Sequence, residues 1–69
     1  MNLSNQRLIL KNLNANNQWF EIIKYFNENK IEEKNIELAS TLNWKAYFRL
    51  GKLIEADNLL EKLIKNYPN

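Results

Sequence analysis

The stretch that decides the fold is LGKLIEADNLLEKLIKNYPN, residues 50–69. It contains the chain's single glycine, Gly51, and its single proline, Pro68. The apolar residues between them recur at the spacing of one helix face: they are Leu53, Ala56, Leu60, Leu63 and Tyr67. Gly51 can end a preceding helix by taking a positive φ, and Pro68 cannot continue the helix before it. The stretch therefore predicts a helix bounded at both ends.

A second amphipathic helix is predicted directly before Gly51, from about residue 36 to residue 50. Asn35 stands where it can cap the start of that helix. Only Gly51 and Lys52 separate the two helices, so they must fold back on each other as an antiparallel hairpin.

The first half of the chain has the same organisation. Ser4 can cap a first helix, the run 14–17 (Asn-Ala-Asn-Asn) breaks it, and a second helix is predicted over about 18–29. The connector at 30–34 is charged and has no strong period. No segment alternates polar and apolar residues long enough to predict a strand.

The two halves repeat at a fixed offset of 34 positions. Trp19, Ile22 and Phe26 precede Leu53, Ala56 and Leu60 by this offset, and Asn17 precedes Gly51 by the same interval. Such a period, with one helix-turn-helix per unit, is the spacing of tetratricopeptide arrays.

The C-terminal half, AYFRLGKLIEADNLLEKLIKNYPN, resembles a tetratricopeptide repeat. The residues that carry the resemblance are Ala46, Tyr47, Gly51, Ala56, Leu60 and Pro68. The stretch NNQWFEIIKYF is similar to the family more loosely, through Trp19 and Phe26. The resemblance implies an all-α fold of two antiparallel helix-turn-helix repeats, with four helices, as a right-handed α-solenoid fragment. It would form a single domain over 1–69, with units at about 3–34 and 35–69.

Four positions depart from the family pattern. Trp44 replaces a small residue, Asn43 replaces the usual leucine, Ile22 stands where the family has alanine, and no proline closes the first unit. We expect these differences to alter the packing between the two units. Trp19 and Tyr47 are expected to be packing residues.

The composition argues against an enzyme. The sequence contains no histidine and no cysteine, which removes the commonest general base, the commonest metal ligand and any disulfide. We therefore expect neither catalysis nor a cofactor. The sequence shows no signal peptide and no apolar run of about 20 residues, which predicts a cytoplasmic protein without a membrane segment. The net charge of +2 is too small to indicate nucleic acid by itself.

The resemblance implies a protein-interaction module or adaptor whose concave surface is lined by the first helix of each unit. The positions that would line it are Arg7, Lys11, Asn14, Thr41, Lys45, Phe48 and Arg49. The charge pattern agrees, because no acid occurs in residues 1–20 or between Glu37 and Glu55. Cations without local counterions suit an acidic peptide or a terminal carboxylate, with Phe48 as an apolar contact. The alternative is that these cations are an ordinary solvated face.

Two repeats are fewer than independent stability usually requires, and the second face of the last helix would stay partly exposed. We therefore expect a homodimer or docking into a larger complex. The residues proposed for self-association are Trp44, Leu59 and Ile64. Whether Trp44 packs between the units or is exposed for a partner is open at this point.

Two other functions compete with this prediction. IELASTLNWKAYFRLGKLIEADNLLEKL also resembles a winged-helix DNA-binding core, in which KAYFRLGKLIEA would be the recognition helix and Lys45, Arg49 and Lys52 would face phosphates. That alternative places Gly51 inside a helix and lacks a β-wing. The third possibility is a purely structural subunit that assembles with copies of itself or with a larger host complex.

Overall fold

The fold is all-α. A computed structural model describes residues 5–68. Its helices are α1 (Gln6–Ala15), α2 (Trp19–Glu28), α3 (Ile36–Arg49) and α4 (Leu53–Asn66), and a 3₁₀ turn at Glu33–Asn35 leads into α3. Residues 5–68 contain no strand. The prediction of two antiparallel helix-turn-helix repeats is confirmed, while the predicted cap Ser4 lies outside the described residues.

The turns of the two units repeat one another bond for bond. Asn17 and Gly51 take φ angles of 57° and 77°. The backbone N–H of Gln18 donates to Leu13 O at 2.9 Å, and that of Lys52 donates to Tyr47 O at 2.9 Å. Four backbone hydrogen bonds of the first turn recur 34 positions later in the second. In the first turn the N–H groups of residues 16, 17, 18 and 22 donate to the carbonyl oxygens of residues 12, 14, 13 and 18. In the second turn the N–H groups of residues 50, 51, 52 and 56 donate to the carbonyl oxygens of residues 46, 48, 47 and 52. The offset found in the sequence is thus an offset in backbone structure.

Helix α3 is the centre of the fold, because it packs against α1, α2 and α4. The buried core consists of Leu10, Ile22, Ala39, Leu42 and Ala46. Three of these five residues come from α3, and its two alanines allow the α2 backbone to approach closely. Ile22, which the resemblance to tetratricopeptide repeats would align with an alanine, is fully buried.

Gln6 ties the start of α1 to the connector between the units. Its side-chain Nε2 donates to Lys30 O at 2.7 Å, and the backbone N–H of Glu32 donates to Gln6 Oε1 at 2.9 Å. Asn35 Nδ2 lies 3.3 Å from Glu32 Oε1 and 3.5 Å from Gln6 Oε1. Asn35 is the N-cap residue of α3, as predicted, but its side chain makes no capping hydrogen bond. The amide is buried and is used to hold the connector instead.

Helix α4 is held to the rest of the fold by one side. Ala56 is its one buried residue, whereas Leu53 is 56 % exposed and Ile64 is 58 % exposed. Leu59 and Ile64, predicted to form one self-association face, lie on different sides of the helix. The reason is that five positions along a helix turn a side chain by about 140°. Leu59 is half-buried and lines a groove together with Phe26.

The helix required for the winged-helix alternative is not formed. Residues 36–49 make one continuous helix, which ends before Gly51, and Gly51 lies in the turn. The proposed recognition helix, residues 45–56, is therefore interrupted, because it consists of the end of α3, the turn and the start of α4. No helix within residues 5–68 is long and apolar enough to cross a bilayer.

Candidate protein-interaction site

Two cations lie over one indole ring at the turn end of the first unit. The Nζ of Lys45 is 5.4 Å from the ring centroid of Trp19, and the Cζ of Arg49 is 5.8 Å from the same ring. Lys45 Nζ also donates a hydrogen bond to Asn14 Oδ1 at 2.9 Å. We name Asn14, Trp19, Lys45 and Arg49 the cationic cluster. It joins α1, α2 and α3 and therefore spans both units.

Local structure explains why these four residues meet. Lys45 and Arg49 are four positions apart on α3, so they lie on the same side of that helix. The left-handed conformation of Asn17 ends the turn, and α2 begins two residues later at Trp19. Trp19 was expected to be a packing residue. It does pack against the core, and its ring also lies beneath both cations.

Phe48 and Trp44 form an aromatic pair beside the cluster on α3. Their ring centroids are 5.8 Å apart at an interplanar angle of 23°. Phe48 is 50 % exposed and Trp44 is half-buried. Phe48 was predicted to bind a partner and Trp44 to mediate self-association, so the structure places two separately predicted residues in one apolar patch.

Two other predicted site residues share a surface depression. Arg7 and Thr41 line a surface depression of about 320 Å³ together with Lys34, Glu37 and Leu38. The Thr41 hydroxyl donates to the backbone oxygen of Glu37 at 2.8 Å, so that donor is already used. Lys11 is exposed on α1, four residues after Arg7. Asn14, Lys45 and Arg49 thus share contacts in the cationic cluster, and Arg7 and Thr41 share a depression.

The cations of the first helices have no acidic partner among residues 5–68. The ion pair found in that range is Lys34 with Glu32, at 4.0 Å. Arg7, Lys11, Lys45 and Arg49 form none there, as the segregation of charge in the sequence predicted.

A groove between α2 and α4 was not foreseen. Its volume is about 260 Å³, and it is lined by Phe26, Asn43, Leu59 and Leu63 among others. Asn43 is 5 % exposed, and its Oδ1 has no hydrogen-bond partner among residues 5–68. The signal in the sequence was Asn43, which the resemblance to tetratricopeptide repeats would align with a leucine.

No protein-family model, no curated protein and no solved structure matches the chain. By its fold, the chain is a helical repeat of two units, and its surface carries the cationic cluster.

Proposed function

We propose that this chain is a non-enzymatic protein-interaction module that binds an acidic peptide segment. The observation that carries the proposal is the cationic cluster, in which Lys45 and Arg49 lie over Trp19 and Lys45 is held by Asn14. Cations fixed in this way lose less side-chain entropy on binding than freely moving ones.

Charge and shape both support an acidic, partly apolar ligand. A carboxylate that approaches Arg49 can form two parallel hydrogen bonds with the guanidinium group. Phe48 is half exposed beside these cations and offers an apolar contact. A peptide with acids flanking an aromatic or aliphatic residue matches both features.

The test is fluorescence anisotropy with a dye-labelled peptide rich in Asp and Glu that carries one central Phe. A matched peptide with Asn and Gln in place of the acids shows how much of the affinity depends on charge. We expect the acidic peptide to bind at least tenfold more tightly, and we expect the difference to shrink with added salt because exposed charges are screened.

A pair of charge-reversed variants locates the site. Lys45→Glu with Arg49→Glu is compared with Lys62→Glu and Lys65→Glu on α4, two exposed lysines outside the cationic cluster. Each pair lowers the formal net charge from +2 to −2, so the two variants differ in where the charge is reversed. The first should lose at least tenfold in affinity and the second should change less than threefold. Equal losses would show that only overall charge matters and would refute the site.

A further inference from the structure

The two ends of the repeat differ in character, and the C-terminal end is apolar. It consists of Trp44 and Phe48 on α3 and of Leu53, Leu60 and Ile64 on α4, which we name the C-terminal end face. On α4, Leu53, Leu60 and Ile64 lie within about 40° of one another around the helix axis. All three are exposed, as is Phe48.

The equivalent surface of the first unit shows what kind of element covers the C-terminal end face. Four of its residues stand 34 positions after Leu10, Asn14, Trp19 and Phe26. In the first unit these four are covered by α3. Leu10 is buried against the α3 core, Trp19 and Phe26 pack on that core, and Asn14 accepts the hydrogen bond of Lys45. The C-terminal end face is therefore the surface that a helix placed like α3 would cover.

The chain contains one other helix of that kind, α1. Leu8 on α1 precedes Leu42 on α3 by 34 positions, and Lys11 precedes Lys45 by the same interval. Leu42 is 7 % exposed because it packs in the core, whereas Leu8 is 59 % exposed. Leu8 thus has the position of a core residue without the helix that would bury it.

The charges of the two ends are complementary. Helix α1 carries Arg7 and Lys11 and no acid. On α4, Asp57 lies between Leu53 and Leu60, at the position that Ile23 takes in α2, and Glu61 follows it. If two C-terminal end faces paired with each other, these acids would approach the same acids of the other copy. If α1 covered the face instead, the helix that approaches the acids would carry cations.

We propose that the occupant of the C-terminal end face is α1 of a second copy of this chain, so that copies associate head to tail and continue the repeat. This arrangement covers Leu8, Phe48, Leu53, Leu60 and Ile64. Those are all the exposed large apolar side chains of residues 5–68 except Phe20 and Ile54.

The association is expected to be weak. Helix α4 has 14 residues, so the face measures about 21 Å by two helix widths, or about 400 Å² per partner. That is about half of a standard interface. Moreover, Asn12 stands where α3 has Ala46, and the larger polar side chain holds α1 farther from its partner. Assembly should therefore be seen at high micromolar concentration.

The experiment is sedimentation velocity of the full chain over a concentration series, with one end blocked at a time. Leu8→Glu blocks the N-terminal end and Leu60→Glu blocks the other, and the shared sign prevents the two altered faces from pairing. We expect the unaltered protein to exceed its 8.3 kDa monomer mass as concentration rises, and each variant to remain monomeric. An equimolar mixture of the two variants should give a heterodimer and nothing larger, because one intact face remains on each.

Two outcomes of the comparison between the unaltered chain and the blocked variants would overturn the proposal. If the unaltered chain stays monomeric to about 1 mM, there is no self-association of the strength expected from the interface area. If Leu8→Glu still dimerises and the mixture adds nothing, pairing is two-fold. Asn12→Ala gives a third measurement that does not depend on a disruptive change. It should lower the concentration at half-assembly at least threefold, and an unchanged or higher value would contradict α1 as the occupant.

Discussion

Asn17 and Gly51 hold the same place in equivalent turns, 34 positions apart in the sequence, and each has a positive φ. The glycine tolerates this conformation freely, whereas an asparagine tolerates it only better than most residues. Apart from residues 50–52, no atom of residues 5–68 lies within 4 Å of where a Cβ on Gly51 would be, so the surrounding structure there leaves room for a side chain. The two turns therefore form a matched pair for measuring backbone strain.

The first prediction exchanges the residues of this pair. Gly51→Ala should lower the free energy of unfolding by about 1 kcal/mol, since alanine is strained at positive φ. Gly51→Asn should lose less, and Asn17→Gly should be neutral or stabilising by about 0.5 kcal/mol. Urea unfolding followed by far-UV circular dichroism measures all three. Equal losses for the alanine and asparagine variants would show that the strain lies elsewhere.

The turns and the helix pairing could be predicted from the sequence because they depend on local chemistry. Gly51, the asparagine run at 14–17 and the apolar spacing each act within a few residues. The 34-residue repeat then indicated that the two hairpins have the same organisation, without any information about long-range contacts. The helix boundaries differed from the predicted ones by only a residue or two, which is the usual uncertainty at frayed ends.

The polar contacts between elements could not be predicted in this way. Gln6 reaches Lys30, which is 24 residues away, and nothing in the local sequence separates Gln6 from an exposed polar residue. Asn35 was assigned a capping role from its position, yet its amide faces Glu32. The cations were predicted as charge on two helices, but the contact of Lys45 and Arg49 with Trp19 follows only from how the units pack.

The second prediction concerns the buried Gln6. Gln6→Leu is close in size and leaves Lys30 O and the Glu32 N–H without their side-chain partner. We expect a loss of about 1–3 kcal/mol in the free energy of unfolding, since an unpaired buried group costs about 1–3 kcal/mol and these two backbone groups are only partly buried. The control is Asn12→Leu, which removes an exposed amide from the same helix. Its effect should be under about 0.5 kcal/mol, and similar losses for both variants would contradict the assigned role of Gln6.

The third prediction is a gain in stability at Asn43. Its Oδ1 is buried without a partner among residues 5–68, and the residue lines grooves of about 260 and 330 Å³ that can accommodate a larger side chain. Asn43→Leu should raise the free energy of unfolding by about 1–2 kcal/mol, because it removes an unpaired polar group and adds apolar contact. Asn43→Asp is the opposite change and should destabilise the fold, because it places a charge in the same site. Thermal unfolding of both variants checks the signs, and destabilisation by leucine would mean that Asn43 has a partner in solution.

The last prediction tests whether Lys45 and Trp19 interact energetically or are merely close. The variants are Lys45→Met and Trp19→Leu, alone and combined, with the free energy of unfolding measured by urea titration. A cation within about 6 Å of an indole at a partly exposed site contributes about 0.5–1 kcal/mol, so the two losses should fall short of additivity by that amount. Lys24 on α2 is exposed and serves as the control, because Lys24→Met and Trp19→Leu should add within about 0.3 kcal/mol. Additivity for Lys45 as well would mean that the indole does not hold the cation in place, and the pre-positioned site proposed for an acidic peptide would lose its basis.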